Sequence, residues 1–442
     1  MTKITKLRDV VDWRLCIGCG ACAYICPEEK VELWDFLNEG IRPVVKETDC
    51  ASCRLCLDVC PAVHTNFTLP PEDSERVVSD PALAAPEYRH DWGEVLEVWE
   101  GHATDPEIRF KGSSGGVLTA LAAFCLEQKG MHGVLHIGQD PDDPVRNWTR
   151  LSRSREELIS ATGSRYSPAS VCDHLEWVED APAPCVVIGK PSEIAALRRA
   201  EALKPQLARN VGLTLSFFCA ESPSTAGTVA LLEGMGLSPS GIKDLRYRGY
   251  GWPGHFAPIR HGETEPFQKI PYRDSWRRLQ SFRPWSVHMW PDGTGELADI
   301  SCGDPWYEQP DGENPGFSLL VVRTNRGRQL LQRAIEAGYL KVSRAEAWKL
   351  VKSQGYLARK KASTWGRLLS LRCFGAPTPQ FKNAHLFRCW LRLSFGEKVR
   401  SVAGTIRRIV QRKLYRPLKL DHSTAIRVRT RSARQPSVTA NL

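Results

Sequence analysis

Cysteine spacing constrains this chain more than any other feature. Cys16-x2-Cys19-x2-Cys22-x3-Cys26-Pro27 recurs as Cys50-x2-Cys53-x2-Cys56-x3-Cys60-Pro61. Three thiolates at three-residue steps wrap one cubane of iron and sulfide, while the fourth, beside proline, is turned toward the other cluster. The spacing therefore predicts one [4Fe–4S] cluster on Cys16, Cys19, Cys22 and Cys60. It predicts a second on Cys50, Cys53, Cys56 and Cys26. A lone C-x2-C could equally be a zinc or disulfide element, but two complete runs with both prolines favour iron–sulfur. Such a segment folds around its clusters, because its own apolar residues are too few. An α+β ferredoxin module is expected over residues 8–65, with Trp13 and Trp34 packing its small core.

The other seven cysteines, Cys125, Cys172, Cys185, Cys219, Cys302, Cys373 and Cys389, are scattered without a disulfide-framework spacing. Most stand in apolar contexts, where free cysteine acts as a small hydrophobe. Cluster ligation needs reduced thiols, so a reducing compartment is expected. The N-terminus shows no export signal, and no apolar run approaches the roughly 20 residues of a bilayer span. A cytoplasmic location is the resulting expectation.

At 442 residues there is room for ordinary domains beyond the module. Residues 66–96 are rich in Pro and acidic side chains and read as a linker. From 97 to 340 short apolar runs alternate with helical patterns. Strands are expected at Gly133–Ile137, Val186–Ile188, Leu213–Cys219 and Phe317–Arg323, and helices at Val117–Leu126, Glu193–Ala202 and Thr225–Met235. That alternation predicts an α/β domain with a mostly parallel or mixed sheet.

Within it, Lys111-Gly112-Ser113-Ser114-Gly115-Gly116 opens a helix. Backbone N–H groups bared by glycine, with serine hydroxyls and a lysine, suit a phosphate. In a cluster protein the natural anionic ligand is a flavin nucleotide, which links one-electron and hydride chemistry. Two other readings stay open. The segment matches G-x-S-x-G, which would make Ser114 a hydrolase nucleophile, although Arg109-Phe-Lys is a poor preceding strand and His255 and His288 have no clear partner. It could also be a glycine-rich cap that only starts a helix.

Lys190, at the carboxyl end of a strand, is a candidate phosphate or substrate contact, or simply a solvated turn lysine. Arg246-Tyr-Arg248-Gly-Tyr250-Gly-Trp252-Pro-Gly254 could stack on a planar ring system or form a tight hairpin edge. Ala298-Asp-Ile-Ser-Cys302-Gly-Asp304-Pro-Trp306 is acidic and turn-forming at a strand end. Arg248, Trp252 and Asp304 are therefore candidates for the flavin or substrate pocket. Lys190 and Asp304 are the candidate catalytic groups, because no other residue stands out as a proton donor.

Taken together these segments resemble the coenzyme F420 hydrogenase/dehydrogenase beta-subunit family. The matching pieces are Lys111–Gly116, Thr162-Gly-Ser-Arg-Tyr166, Gly189-Lys-Pro-Ser-Glu-Ile-Ala, Phe217-Phe-Cys219, Tyr247–Gly254 and Ala298–Asp304. They run in family order from about residue 97 to 330, and the ferredoxin module is a common fusion in relatives. The resemblance implies FAD and electron transfer between clusters, flavin and a hydride partner. That partner is coenzyme F420 in some members and a chlorophyll derivative in others; a redox partner protein is also implied. A non-catalytic electron-transfer subunit is the alternative. The family core commonly carries its own [4Fe–4S] cluster, and here its four ligand positions read Ser192, Cys219, about Val287 and about Trp290. Valine and tryptophan cannot ligate iron and serine is a poor substitute for thiolate. The core cluster is therefore expected to be missing, and the module would have to dock closely over the flavin pocket, with Trp285 or Trp290 filling the vacated site.

The C-terminal region is basic. Residues 352–442 hold 21 Lys/Arg against Glu397 and Asp421, a net of +19 in a chain of +10 overall. Residues 341–422 read as a basic helical extension and 423–442 as a disordered tail. Leu386, Trp390, Leu393, Val402, Ile406 and Ile409 alternate with arginines, and Phe387 and Leu391 stand beside Arg388 and Arg392. An anionic membrane surface, such as the inner membrane face, or an acidic partner fits this pattern. A stripe packed on the core would read the same way. Nucleic acid is disfavoured, since no recognised binding module accompanies the charge.

Overall fold

The computed structural model describes residues 3–45, 50, 53–69, 78–308 and 315–428. The first strands are β1 (Val31–Phe36) and β2 (Gly40–Val45), an antiparallel hairpin, followed by the short β3 (His64–Asn66). Short helices Ala21–Tyr24, before the hairpin, and Leu55–Asp58, after it, carry cysteines of the two runs and complete the expected ferredoxin-like unit.

Next come β4 (Glu97–Ala103), β5 (Val134–Gln139), β6 (Asn147–Ser152), β7 (Cys185–Gly189) and β8 (Val211–Phe217). A small antiparallel sheet of β9 (Ile242–Arg246), β10 (His255–Arg260) and β11 (Ile270–Pro271) intervenes before β12 (Ile300–Gly303), β13 (Ser318–Val322) and β14 (Leu340–Arg344). The main sheet has eight strands in the order β14-β4-β13-β12-β8-β7-β5-β6. Its centre, β12-β8-β7-β5, is parallel, and both flanks are antiparallel. The sheet is therefore mixed. Parallel central strands are covered on both faces. Val186 joins the core under the helix Val117–Lys129, while its neighbour Val187 joins the opposite core with the helix Pro191–Leu203.

The ferredoxin unit shares that second core. Ala21, Ile25, Val59 and Phe67 pack in one apolar cluster with Leu175, Ile194 and Trp290. Polar contacts seal the junction. Cys172 N–H donates to the carbonyl of Cys19 at 3.0 Å, and the Tyr24 hydroxyl donates to Glu179 at 2.6 Å. Gly20 has φ +88°, and a Cβ there would stand 2.7 Å from the Asp173 backbone nitrogen, so only glycine permits this approach.

Three sequence expectations need correction. Residues 78–92 are not a linker: Pro81–Ala84 and Pro86–Trp92 are helices that bury Leu83 and Trp92. Both prolines sit at the first helical position, where a missing N–H costs nothing, and Asp80 caps Ala82 at 2.8 Å. Residues 341–344 are an edge strand of the main sheet rather than part of the helical extension. The tail is also not a free end over its described part. β15 (Gln380–Lys382) lies parallel to β3, and β16 (Ile426–Arg427) pairs antiparallel with β1. The remainder of the expected disordered segment, 429–442, lies outside the described residues.

Between those strands run the long helix Ala347–Cys373, the short Leu386–Leu391 and the terminal helix Phe395–Arg412. From Arg412 the chain turns back to the module, where Leu418 N–H donates to Asp12 at 2.8 Å. The extension thus straps the ferredoxin unit onto the α/β domain.

Candidate functional site

A cavity of about 960 Å³ opens at the carboxyl ends of β7, β8 and β12, the ligand-binding edge of an open α/β sheet. Its volume is at the upper end of the roughly 300–1,000 Å³ of ligand pockets. One end is the glycine-rich turn, represented in the lining by Gly112, Ser113, Ser114 and Gly116. The turn is held from outside by the 247–254 loop. Arg248 donates to Ser113 O at 2.6 Å, and Gly249, at φ +89°, passes so close to Lys111 O that a Cβ would overlap it. Lys111 and Gly115 do not contribute to the lining. The Lys111 ammonium instead pairs with Glu107 at 2.7 Å, and Gly115 packs against the sheet through Ser318. The Ser114 hydroxyl bonds that of Ser318 at 2.8 Å, and the turn follows the helix Pro106–Lys111 rather than a strand. The nucleophile-elbow context is therefore not met.

The opposite wall is aromatic. Tyr272 and Trp306 are parallel within 3°, and Tyr166 lies against Tyr272 and Trp276. Arg248 places its guanidinium 4.2 Å from the Tyr272 ring and grips Asp304 with two hydrogen bonds of 2.9 and 2.6 Å. Trp252 donates to the same carboxylate at 2.9 Å from outside the lining. Burial works against the charge on Arg248, yet Asp304 outweighs it and keeps the pKa well above its ordinary value. Burial also raises the Tyr166 and Tyr272 hydroxyls, so both stay protonated. The wall thus offers planar faces, neutral phenols and one fixed cation.

Lys190 lies in the cavity floor, buried, with Glu193 at 2.6 Å and Ala169 O at 3.3 Å. Burial would lower its pKa, but Glu193 and Glu221 overcome this and hold it above the usual lysine range. It is therefore a permanent cation, not the solvated turn lysine that the sequence allowed. Behind it, Glu221 is raised by burial despite Lys190 and Lys360, while burial lowers Lys360.

This ion network stands where the family's core cluster would be sought, and the residues present do not fit one. Cys219 is the one thiol among the four positions, since serine, valine and tryptophan occupy the others and supply no thiolate. Ser192 is fully buried, and Trp290 packs between Phe67 and Phe381.

The eight ferredoxin-type cysteines fall into two neighbourhoods. Burial raises the Cys22 thiol, with Cys19, Cys16 and Cys60 as its nearest thiol neighbours, and burial raises Cys56 beside Cys53, Cys26 and Cys50. Among the described residues no three His, Cys, Asp or Glu side chains converge as a single metal ion requires. A cubane is a larger group than one ion. The first set lies against the α/β domain, since the carbonyl of Cys19 is bonded to Cys172, whose thiol in turn reaches Glu193 O at 3.3 Å. Glu193 borders the cavity.

Several lining residues escaped sequence reasoning. Glu193 and Tyr166 lay inside quoted motifs without an assigned role. Tyr272 and Trp276 share a four-residue spacing on one helix that looks like ordinary packing. Gln354 and Ser353 enter at a kink of the long helix, where both donate to Asp304 O. No local signal marks them.

A dicluster ferredoxin unit set on the wall of an α/β cavity defines an iron–sulfur electron-transfer protein. Residues 9–65 match the 4Fe-4S dicluster domain model. Residues 98–176 and 184–347 match the N-terminal and C-terminal models of the coenzyme F420 hydrogenase/dehydrogenase beta subunit. The chain belongs to this family of oxidoreductases. It is 25% identical over 299 residues to the coenzyme F420 hydrogenase subunit beta of Methanococcus voltae, covering 65% of this chain and 99% of that one. It is 21% identical over 347 residues to the coenzyme F420-dependent sulfite reductase of Methanocaldococcus jannaschii, covering 75% of this chain and 47% of the relative. A chain of the F420-reducing [NiFe] hydrogenase complex from Methanosarcina barkeri shares the fold. Its TM-score is 0.51 at 21% identity, over 66% of this chain and 97% of the other. No described helix is long and apolar enough to cross a membrane.

Proposed function

We propose that this protein is an iron–sulfur flavoprotein that passes electrons between its two [4Fe–4S] clusters, FAD and a hydride-exchanging substrate. The observation that carries this reading is the junction. The first cysteine set adjoins the wall of the large cavity through Cys19, Cys172 and Glu193, so no third cluster is needed between them. FAD suits the cavity by volume and by its walls. Gly112, Ser113, Ser114 and Gly116 would receive the phosphates, and Tyr166, Arg248 and Tyr272 would border the ring system. When bound, the flavin supplies the exchange between one-electron and hydride chemistry. Lys190, as a buried cation, would stabilise negative charge on whatever occupies the floor. Asp304 would hold Arg248 and Trp252 in place. The relatives named for coenzyme F420 make a deazaflavin hydride carrier the first substrate to try.

The competing reading is a carrier subunit that serves a partner enzyme. It is favoured by one observation: both candidate proton-handling groups, Lys190 and Asp304, are fully engaged in ion pairs. Anaerobically purified protein separates the two. The enzyme reading expects a flavin absorption band, about eight irons per chain and bleaching by dithionite. Iron without flavin, after reconstitution with excess FAD, would sink it. Flavin that is reducible but inert toward F420 would keep the enzyme class and discard that substrate.

A further inference from the structure

The terminal helix Phe395–Arg412 packs one face on the protein and leaves an apolar line on the other open. Its inner side, Ser401, Thr405 and Ile409, is buried. Ser401 receives Trp390 Nε1–H at 3.0 Å and closes on Gly366 of the long helix. Its outer side carries Phe395, Val399, Ala403, Ile406 and Val410. At 3.6 residues per turn these positions fall on one line along the helix. All five are exposed; Phe395 is 82% and Val410 55% accessible. A helix facing only water carries polar residues there.

Charge surrounds this stripe. Arg400 and Arg407 are exposed along one flank. Residues 386–419 hold ten Lys/Arg and one acidic residue, Glu397, whose carboxylate is occupied capping Ser394 at 3.0 and 2.8 Å. The preceding stretch adds Phe387 and Leu391, also exposed beside Arg388 and Arg392. No described helix is apolar enough to cross a bilayer, so any contact with lipid lies along the surface.

We infer that the outer stripe of Phe395–Arg412 docks on an anionic lipid surface. The apolar side chains enter the headgroup boundary and the flanking arginines meet the lipid phosphates. Two features favour lipid over protein. An apolar line flanked by ten Lys/Arg against one carboxylate over residues 386–419 is the pattern of an interfacial helix on anionic headgroups. A second copy docked through the same stripe would set the Arg400 and Arg407 flanks of both copies against one another, a like-charge contact. The same geometry brings the module near the membrane, because Arg14 donates to Arg412 O at 2.7 Å.

The test uses the full chain with its clusters, sedimented with vesicles of phosphatidylcholine alone or with about one-third phosphatidylglycerol. Binding is expected only to the anionic vesicles, with release at about 0.5 M salt. The double variant Phe395→Ser/Val399→Ser, and separately Arg400→Gln/Arg407→Gln, should each weaken partitioning by roughly tenfold. Iron content and the visible spectrum should stay unchanged in both, which excludes misfolding as the cause. The inference is overturned if wild-type protein ignores anionic vesicles or if both variants bind as it does. It is also overturned if ultracentrifugation reveals a dimer that Phe395→Ser/Val399→Ser dissolves while vesicle binding persists.

Discussion

The two cysteine sets share one spacing and live in different surroundings. Cys16, Cys19, Cys22 and Cys60 are each more than nine-tenths buried, beneath Arg42 and Arg199 and against the α/β domain. In the other set, Cys50 and Cys53 are exposed and Cys26 and Cys56 half-buried. Solvent exposure and nearby charge are what tune such clusters. On the proposed function, the buried set would be the inner station beside the cavity and the exposed set the outer one, facing an electron donor. Packing alone has given one motif two different environments.

The largest effect should come from splitting the pair. Cys19→Ala is expected to lower cluster-to-acceptor turnover by roughly 100-fold with any reductant, because it removes the station at the cavity. Cys53→Ala should cost about half the iron. It should also abolish turnover with a ferredoxin donor, yet leave dithionite-driven reduction of the acceptor nearly intact. If stopped-flow reduction slows equally in both variants, the inner and outer assignment is wrong.

Gly20→Ala tests the contact that makes the inner set internal. A side chain at φ +88° against the Asp173 backbone should cost about 1–3 kcal/mol, read as a lowered thermal midpoint of the cluster-loaded protein. An unchanged midpoint would mean that the module sits more loosely than Cys19 and Cys172 imply.

The buried side of the comparison also has an acid limit. His136, in the cavity wall and bonded to Ser152 at 2.7 Å, has its pKa lowered by burial to about 3. The unfolded chain takes up a proton below the ordinary histidine value near 6.5, and the folded protein refuses it. Its contribution is therefore complete above about pH 6.5 and is lost as pH falls toward the folded value, at up to about 1.4 kcal/mol per pH unit. His136→Gln should flatten the acid limb of stability measured by denaturant titration from pH 6.5 to 4. An unaltered slope would assign that limb to other groups.

The smallest expected change is at the strap. Arg427→Ala removes a half-exposed ion pair with Glu32 and should cost less than about 1 kcal/mol by thermal melting. A loss as large as that of Gly20→Ala would shift the credit for holding the module from its inner face to the tail.

Much of the architecture was legible because it depends on local patterns. The strands Cys185–Gly189 and Val211–Phe217 and the helix Val117–Lys129 lie where apolar runs and helical periods placed them. Errors arose where one residue type serves opposite ends. Pro81 and Pro86 read as breakers, yet they start helices, since a proline at the first position loses no hydrogen bond. The cavity was partly legible: Lys190, Arg248 and Asp304 line it. Lys111 was expected beside them, but its ammonium is captured by Glu107 one helical turn earlier. The aromatic wall of Tyr166, Tyr272, Trp276 and Trp306 was not legible, because its members come from three separate segments.

Cysteine number, spacing and the two prolines by themselves determined that this chain holds two cubane sites, because ligand geometry is set within a dozen residues of backbone. Tertiary structure alone decided which site is interior, since burial depends on what Gly20 and Cys19 meet from Cys172 and Asp173, more than a hundred residues away. It likewise decided which side of Phe395–Arg412 faces inward. A helical period reports the apolar line from Phe395 to Val410, yet the small Ser401 and Thr405 turn inward, because the long helix comes close at Gly366.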